Sequence, residues 1–193
     1  MKNNKVSIRR VKEGDLNLLA KLYCEVYDPK RHDVGEKWTE KSAHKLLKYW
    51  FDRKNKLDFL AEDDGKIVGA FFTAVKPWWN GNCLYDGEIF VAPDYQGKGV
   101  GVQLSKTLYQ EAIDKYDAKY FEATTFKDSY SLNWYKKLGF KEPDNLVFIS
   151  GNLKTILEKL EKENKKRPLG CGQVLYRCRV TTFFSKYAAE VRQ

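Results

Sequence analysis

Val91-Ala92-Pro93-Asp94-Tyr95-Gln96-Gly97-Lys98-Gly99-Val100-Gly101 is the stretch on which the reading of this chain turns. The residues before it, 84–91, have the apolar make-up of a strand, and Ala92-Pro93-Asp94 closes that strand. Beyond it, residues 101–116 set Val102, Leu104, Leu108, Ala112 and Ile113 at helical spacing. The loop therefore joins a strand to a helix. Such a junction offers unpaired backbone N–H groups and the positive end of a helix dipole to an anion. Gly97, Gly99 and Gly101 let the backbone approach that anion closely. Neither the dinucleotide fingerprint G-x-G-x-x-G nor the P-loop G-x-x-x-x-G-K-[ST] fits this spacing.

Working outward, residues 57–62 and 66–75 are apolar and aromatic segments separated by Asp63-Asp64-Gly65, which predicts an antiparallel hairpin. Upstream, residues 6–10 alternate as a short strand. Asp15 can cap a first helix with Leu16, Leu19, Ala20 and Tyr23 inward, and Thr39 opens a second with Ala43, Leu46, Leu47 and Trp50 inward. Downstream, residues 120–126 read as a strand, 129–138 as a helix and 146–149 as a final strand, followed by a charged helix over 153–165. The expectation is an α/β domain over residues 1–164 with a mixed sheet. Residues 165–193 form a basic tail that is either an extra strand near 174–180 or an extension foreign to the domain.

The 193 residues, 42% of them hydrophobic, suit one domain with a sizeable core. No apolar run approaches the roughly 18 residues needed to cross a bilayer, and MKNNKVSIRR lacks the apolar centre of a signal peptide, so a cytoplasmic protein without membrane attachment is expected. Cys24, Cys83, Cys171 and Cys178 are too scattered for a disulfide framework, and only His32 and His44 could join them, so no metal site is expected. The formal charge of +9 is concentrated in the tail. There seven Lys or Arg face one acid, whereas the other 164 residues carry 28 basic and 25 acidic side chains. A body so near neutrality argues against nucleic acid as a partner.

Three groups of side chains carry candidate chemistry. Asp86 and Glu88 lie two apart on the strand leading to the loop, and simple alternation gives them one face of the sheet. Either suits a general base, and either could equally face water or orient a substrate. Trp78 and Trp79, beside Pro77 and Asn80-Gly81, sit in a turn that could overhang a binding site. Asp33 and Glu36, between the first two helices, could attract a cation, although Lys30, Arg31 and Lys37 stand among them.

The segment 91–101 resembles the acetyl-CoA signature Q/R-x-x-G-x-G/A of the GNAT superfamily of N-acetyltransferases. Asn133-Trp134-Tyr135-Lys136-Lys137-Leu138-Gly139-Phe140 is similar to the family's Y-x-K-x-G-F segment. The resemblance covers most of the chain outside the tail and implies a GNAT-like mixed, mostly antiparallel central sheet flanked by helices. It further implies acetyl-CoA as co-substrate and direct transfer of the acetyl group to a primary amine. The pyrophosphate would be held by Gln96, Gly97, Lys98, Gly99, Val100 and Gly101, with the pantetheine arm along Ile89, Phe90 and Val91.

By the same resemblance Tyr135 donates a proton to the departing thiolate, and a backbone N–H near Val91 holds the oxyanion. The chain departs from the family in three places: Gly87 stands where an acid is frequent, Asp128 where Asn is, and Ser131 where Ala is. Asp128 is expected to cap the helix that begins at Ser129. Glu88 is the first candidate base and Asp86 the second. The expected acceptor is a small-molecule amine of aminoglycoside or polyamine type, bound near Trp78, Trp79, Asp33 and Glu36. The alternatives are a protein or peptide N-acetyltransferase and an inactive CoA-binding sensor. A homodimer through sheet edges follows from family analogy alone.

Overall fold

The computed structural model describes residues 6–30, 36–144 and 146–166. They fall in two units, one within Met1–Lys141 and one within Glu142–Gln193. In the first unit the order is β1 (Ser7–Arg10), α1 (Leu16–Val26), α2 (Glu40–Phe51), β2 (Lys56–Asp63), β3 (Lys66–Trp78), β4 (Gly81–Val91), α3 (Val100–Tyr116), β5 (Ala118–Glu122) and α4 (Tyr130–Lys137). The five strands form one sheet in sequence order, antiparallel from β1 to β4 and parallel between β4 and β5. The α/β fold with a mixed, mostly antiparallel sheet is thus the one expected.

The central strand β3 is buried from Val68 through Val75 without a break, because both of its faces are covered. Adjacent residues on it point to opposite sides. Phe71 meets Tyr109 of α3, its ring centroid 6.0 Å away, whereas Phe72 stacks on Phe90, which in turn meets Tyr23 of α1. One face therefore carries α3, anchored by the buried Val100, Leu104, Leu108 and Ala112. The other carries α1 and α2 through Leu16, Leu19, Tyr23, Ala43, Leu47 and Trp50.

Local chemistry starts the helices largely as read. Thr39 caps α2, its hydroxyl accepting from Ser42 N–H at 3.2 Å while Ser42 Oγ accepts from Thr39 N–H at 2.9 Å. Asp15 acts one turn earlier than expected: its carboxylate accepts from Lys12 N–H at 2.7 Å and pairs with Arg9, leaving α1 without a side-chain cap. The α4 cap is Ser129, whose hydroxyl accepts from Leu132 N–H at 3.0 Å. Asp128 instead occupies a left-handed backbone position at φ 59°, which Asp tolerates better than most residues.

β5 is shorter than the expected 120–126. Its pairing with β4 ends at Tyr85↔Glu122, just where Asp86 and Gly87 bend β4 away, so residues 123–126 find no strand partner among the described residues. In the second unit residues 146–149 form no strand, and Val147, Phe148 and Ile149 are exposed. An apolar β-branched run becomes a strand only by pairing, and the described residues of that unit contain no strand to pair with. The charged helix is present as α5 (Leu153–Lys166). The expected tail strand near 174–180 lies outside the described residues. Cys24 and Cys83 are free thiols, and no helix among the described residues is long and apolar enough to cross a membrane.

Candidate active site

The glycine loop closes β4 with a short turn over Pro93–Tyr95 and then enters α3. Gly99, at φ 83°, is the residue before the helix, and Gly97 is at φ 71°. A Cβ on either would meet nothing within 4 Å, so the glycines serve backbone conformation and leave the approach to the loop open. The first bond of α3 runs from Gln103 N–H to Gly99 O at 3.0 Å, so the N–H groups of Val100, Gly101 and Val102 precede the intrahelical ladder. Two side-chain bonds brace the loop. Gln96 Nε2 donates to Val91 O at 3.0 Å, and Tyr95 OH donates to Asp63 Oδ2 at 2.7 Å.

β4 runs on past the end of β5. Beyond Tyr85 its outer edge, including Glu88, Ile89, Phe90 and Val91, has no strand partner among the described residues. The cause is a bulge. Phe72 pairs with Glu88 and Ala74 with Tyr85, so Thr73 faces both Asp86 and Gly87 and its hydroxyl donates to Asp86 O at 2.6 Å. Asp86 has φ 50° and Gly87 φ 140°. A Cβ on Gly87 would lie 2.1 Å from Phe72 O, so no other residue fits without moving the strand. The backbone of β3 already fills the space that a side chain at position 87 would need.

The bulge corrects the expectation that Asp86 and Glu88 simply alternate onto one face. Glu88 shares its face with Phe72, while Asp86 accepts a hydrogen bond from Thr124 Oγ1 at 3.2 Å, beyond the end of β5. Glu88 lies against α1, where Tyr23 OH donates to its Oε2 at 2.9 Å. Burial, countered by that hydrogen bond and reinforced by the charges of Asp86 and Glu36, pushes the Glu88 carboxyl up to about 7. A carboxylate balanced near neutrality can both take and release a proton.

Tyr135 enters from α4, its ring 5.0 Å from Phe140 and 5.1 Å from Trp134. Burial first, then Tyr109, Glu88 and Asp86, push its phenol well above the usual range, which keeps it protonated and able to donate. Tyr27, just past the end of α1, is raised by burial and by Glu88, Tyr135 and Glu36. Ionisable groups at the end of α1, on β4, on α4 and in the segment before α2 are therefore gathered at one place.

Of the acceptor-side candidates, Glu36 joins this group, its Oε2 accepting from Trp38 Nε1 at 2.7 Å. Asp33 lies outside the described residues. Trp78 and Trp79 are at the far end of the β3–β4 hairpin, six residues along β3 from the Phe72–Glu88 rung, or about 20 Å. The structure does not bring them to Glu88. Trp78 covers Lys76 Nζ at 4.2 Å from its ring centroid, and Trp79 is exposed.

Sequence reasoning missed Tyr23, Tyr27 and Trp38. Tyr23 falls on the apolar stripe of α1 and reads as core, and the signal that could have found it is its hydroxyl, which a wholly buried stripe has no use for. Among the described residues no cluster of His, Cys, Asp and Glu could hold a metal ion.

The model of the acetyltransferase (GNAT) family matches residues 19–140, and the chain belongs to that family. It is 30% identical over 146 residues to an uncharacterized N-acetyltransferase of Methanocaldococcus jannaschii, covering 72% of this chain and 62% of the archaeal one. The chain thus spans less than two thirds of that relative. To the thialysine N-epsilon-acetyltransferase of Bos taurus it is 25% identical, covering 71% of this chain and 85% of the bovine one.

Among solved structures, an aminoglycoside N-acetyltransferase in complex with CoA superposes with a TM-score of 0.61 at 18% identity, covering 78% of this chain and 97% of that one. An aminoglycoside acetyltransferase from an uncultured soil sample, in complex with sisomicin, gives 0.57 at 20% identity, covering 79% and 99%. These likenesses concern the fold.

Proposed function

We propose that the protein moves an acetyl group from acetyl-CoA directly to a primary amine of a small molecule, with Glu88 as general base and Tyr135 as proton donor. The observation that carries the reading is Glu88 itself, a half-buried carboxylate held by the Tyr23 hydroxyl beside the unpaired edge of β4. The residues present suit the donor. Backbone N–H groups of Gly97, Gly99, Val100, Gly101 and Val102 and the dipole of α3 suit a pyrophosphate, Lys98 can add charge from the loop, and the free edge of β4 at Ile89, Phe90 and Val91 suits an amide-bearing arm.

Nucleophilic attack needs a neutral amine, so Glu88 takes the proton that the nitrogen must shed, directly or through one water. Asp86, two residues away, is the second candidate and adds negative charge that draws a cationic acceptor. A backbone N–H near Val91 holds the oxyanion as the thioester carbonyl is attacked. Collapse breaks the carbon–sulfur bond, and the Tyr135 hydroxyl gives its proton to the leaving sulfur. No bond to the enzyme forms.

Glu36, Asp86 and Glu88 make the acceptor side acidic, which supports a polycationic amine of aminoglycoside or polyamine type. The assignment of residues 1–164 to one catalytic domain with a basic tail is part of the same proposal. The test is thiol release from acetyl-CoA against aminoglycosides, polyamines, amino acids and basic peptides, with CoA titrated calorimetrically in parallel. Release with a polycationic small amine is expected. Turnover only with peptides would reassign the acceptor, CoA binding without turnover across the panel would favour a sensor, and absence of CoA binding would overturn the reading of the loop.

A further inference from the structure

Tyr23 is only 2% exposed, on the stripe of α1 that also carries Leu16, Leu19 and Ala20. Packing alone asks for no hydroxyl there, and Phe would fill the same volume. The ring is fixed from three sides: Trp38 meets it edge-on at 5.2 Å, Phe90 edge-on at 5.1 Å, and Tyr27 lies tilted at 4.4 Å. With the ring so confined, the hydroxyl has one direction to point, and it finds Glu88 Oε2 at 2.9 Å. A buried hydroxyl needs a partner, and this one has taken the carboxylate that the reaction requires.

We infer that Tyr23 is a positioning residue that acts through Glu88, fixing its orientation and setting its proton affinity. The inference rests on the reading of Glu88 as the base. The hydrogen bond occupies Oε2 and leaves Oε1 to accept the acceptor's proton. Because it favours the charged form, it opposes the burial of Glu88 and the repulsion it receives from Asp86 on β4 and Glu36 before α2. The other ionisable groups around it are Tyr27, just past the end of α1, and Tyr135 on α4. Asp58 lies one strand beyond Phe72 on the same rung.

Tyr23 is not itself a proton relay. Burial and the charges of Glu88 and Glu36 push its phenol far above the usual range. Its proton stays on oxygen throughout, and only Glu88 gains and loses one.

The decisive measurement is the titration of Glu88 by NMR with carbon-13 in the glutamate carboxyls, the signal being assigned by its loss in Glu88→Gln. In Tyr23→Phe the midpoint should rise by about one unit, a tenfold gain in proton affinity. Tyr23→Met, which also lacks the donor, should give the same shift if the aromatic variant folds poorly. An unmoved midpoint in both overturns the inference.

Turnover gives an independent readout. Tyr23→Phe should lose five- to tenfold of kcat/KM at pH 6.5 and almost nothing at pH 9.5, and should cost nothing further in the Glu88→Gln background. An equal loss at every pH would mark a merely structural role and sink the proposal. If the wild type turns over no amine, the acetyl-transfer reading fails, while the NMR midpoints still decide whether Tyr23 tunes Glu88.

Discussion

Replacing Asp58 with Asn should make the protein more stable, and by an amount that grows with pH. Asp58 lies on β2 with 1% of its surface exposed, and neither carboxyl oxygen has a hydrogen-bond partner. Lys56 Nζ, at 3.7 Å from Oδ2, is too far to donate. Burial therefore outweighs the nearby charges of Lys56 and Arg10 and pushes the carboxyl from 3.8 up to about 7. In the native protein Asp58 keeps its proton between those two values, where the unfolded chain has already lost it. Its contribution is thus fully present below about pH 4 and is lost as pH rises through about 7.

A gap of about three units at about 1.4 kcal/mol each caps the loss near 4 kcal/mol. Relaxation around the charge should bring the realised figure to about 2–4 kcal/mol. Asn cannot ionise, so Asp58→Asn avoids this loss, and any cost of its buried amide is the same at both ends of the pH range. Urea unfolding at pH 4.5 and pH 8.5 measures the difference directly. With a slope of about 2 kcal/mol per molar, the midpoint advantage of the variant should widen by about 1–2 M between the two conditions. A difference that does not change with pH would refute the reasoning, because it would mean that Asp58 titrates alike in the folded and unfolded chains.

Gly87→Ala should lower both stability and turnover. Its Cβ would come within 2.1 Å of Phe72 O at a φ of 140°, so the bulge must open, at a cost of about 2–4 kcal/mol, and Glu88 must move with it; thermal unfolding and kcat/KM read the two effects. Tyr135→Phe should leave CoA binding by calorimetry within about twofold of wild type while kcat falls about 10²-fold or more, since only the proton to the leaving thiolate is lost; an unchanged kcat would remove Tyr135 from the mechanism.

How far the sequence reaches differs from element to element. The period of Leu16, Leu19, Ala20 and Tyr23, the turn at Asp63-Asp64-Gly65 and the spacing of Gly97, Gly99 and Gly101 are local signals, and local backbone physics suffices to read them. They yielded α1, the β2–β3 hairpin and the strand–loop–helix junction, and through the likeness of two motifs, the family. The run 146–149 failed because a strand is a pairwise object: its apolar residues carry the propensity, but the described residues of its unit supply no neighbour.

The proposed acceptor side was legible only in part for the same reason. Glu36 and Glu88 were visible as acids in suggestive places, and Trp78 and Trp79 as a conspicuous pair. Yet the distance along a strand is fixed, and it leaves the tryptophans about 20 Å from the Phe72–Glu88 rung. Tyr23 looked like core because it is core, and its hydroxyl acquires meaning only when α1 is laid across β4.

What the amino-acid sequence determined by itself was most of the order of elements, the glycine loop that opens α3 and the two candidate carboxylates, because each depends on residues close together in the chain. Which carboxylate lies against α1 and which turns toward the end of β5 was decided only by tertiary structure. A one-residue bulge opposite Thr73 turned Asp86 toward Thr124 and left Glu88 under Tyr23. Burial, the fit of a ring between Trp38 and Phe90, and the meeting of ionisable groups from α1, β4 and α4 are sums over residues far apart in sequence, and no local pattern encodes them.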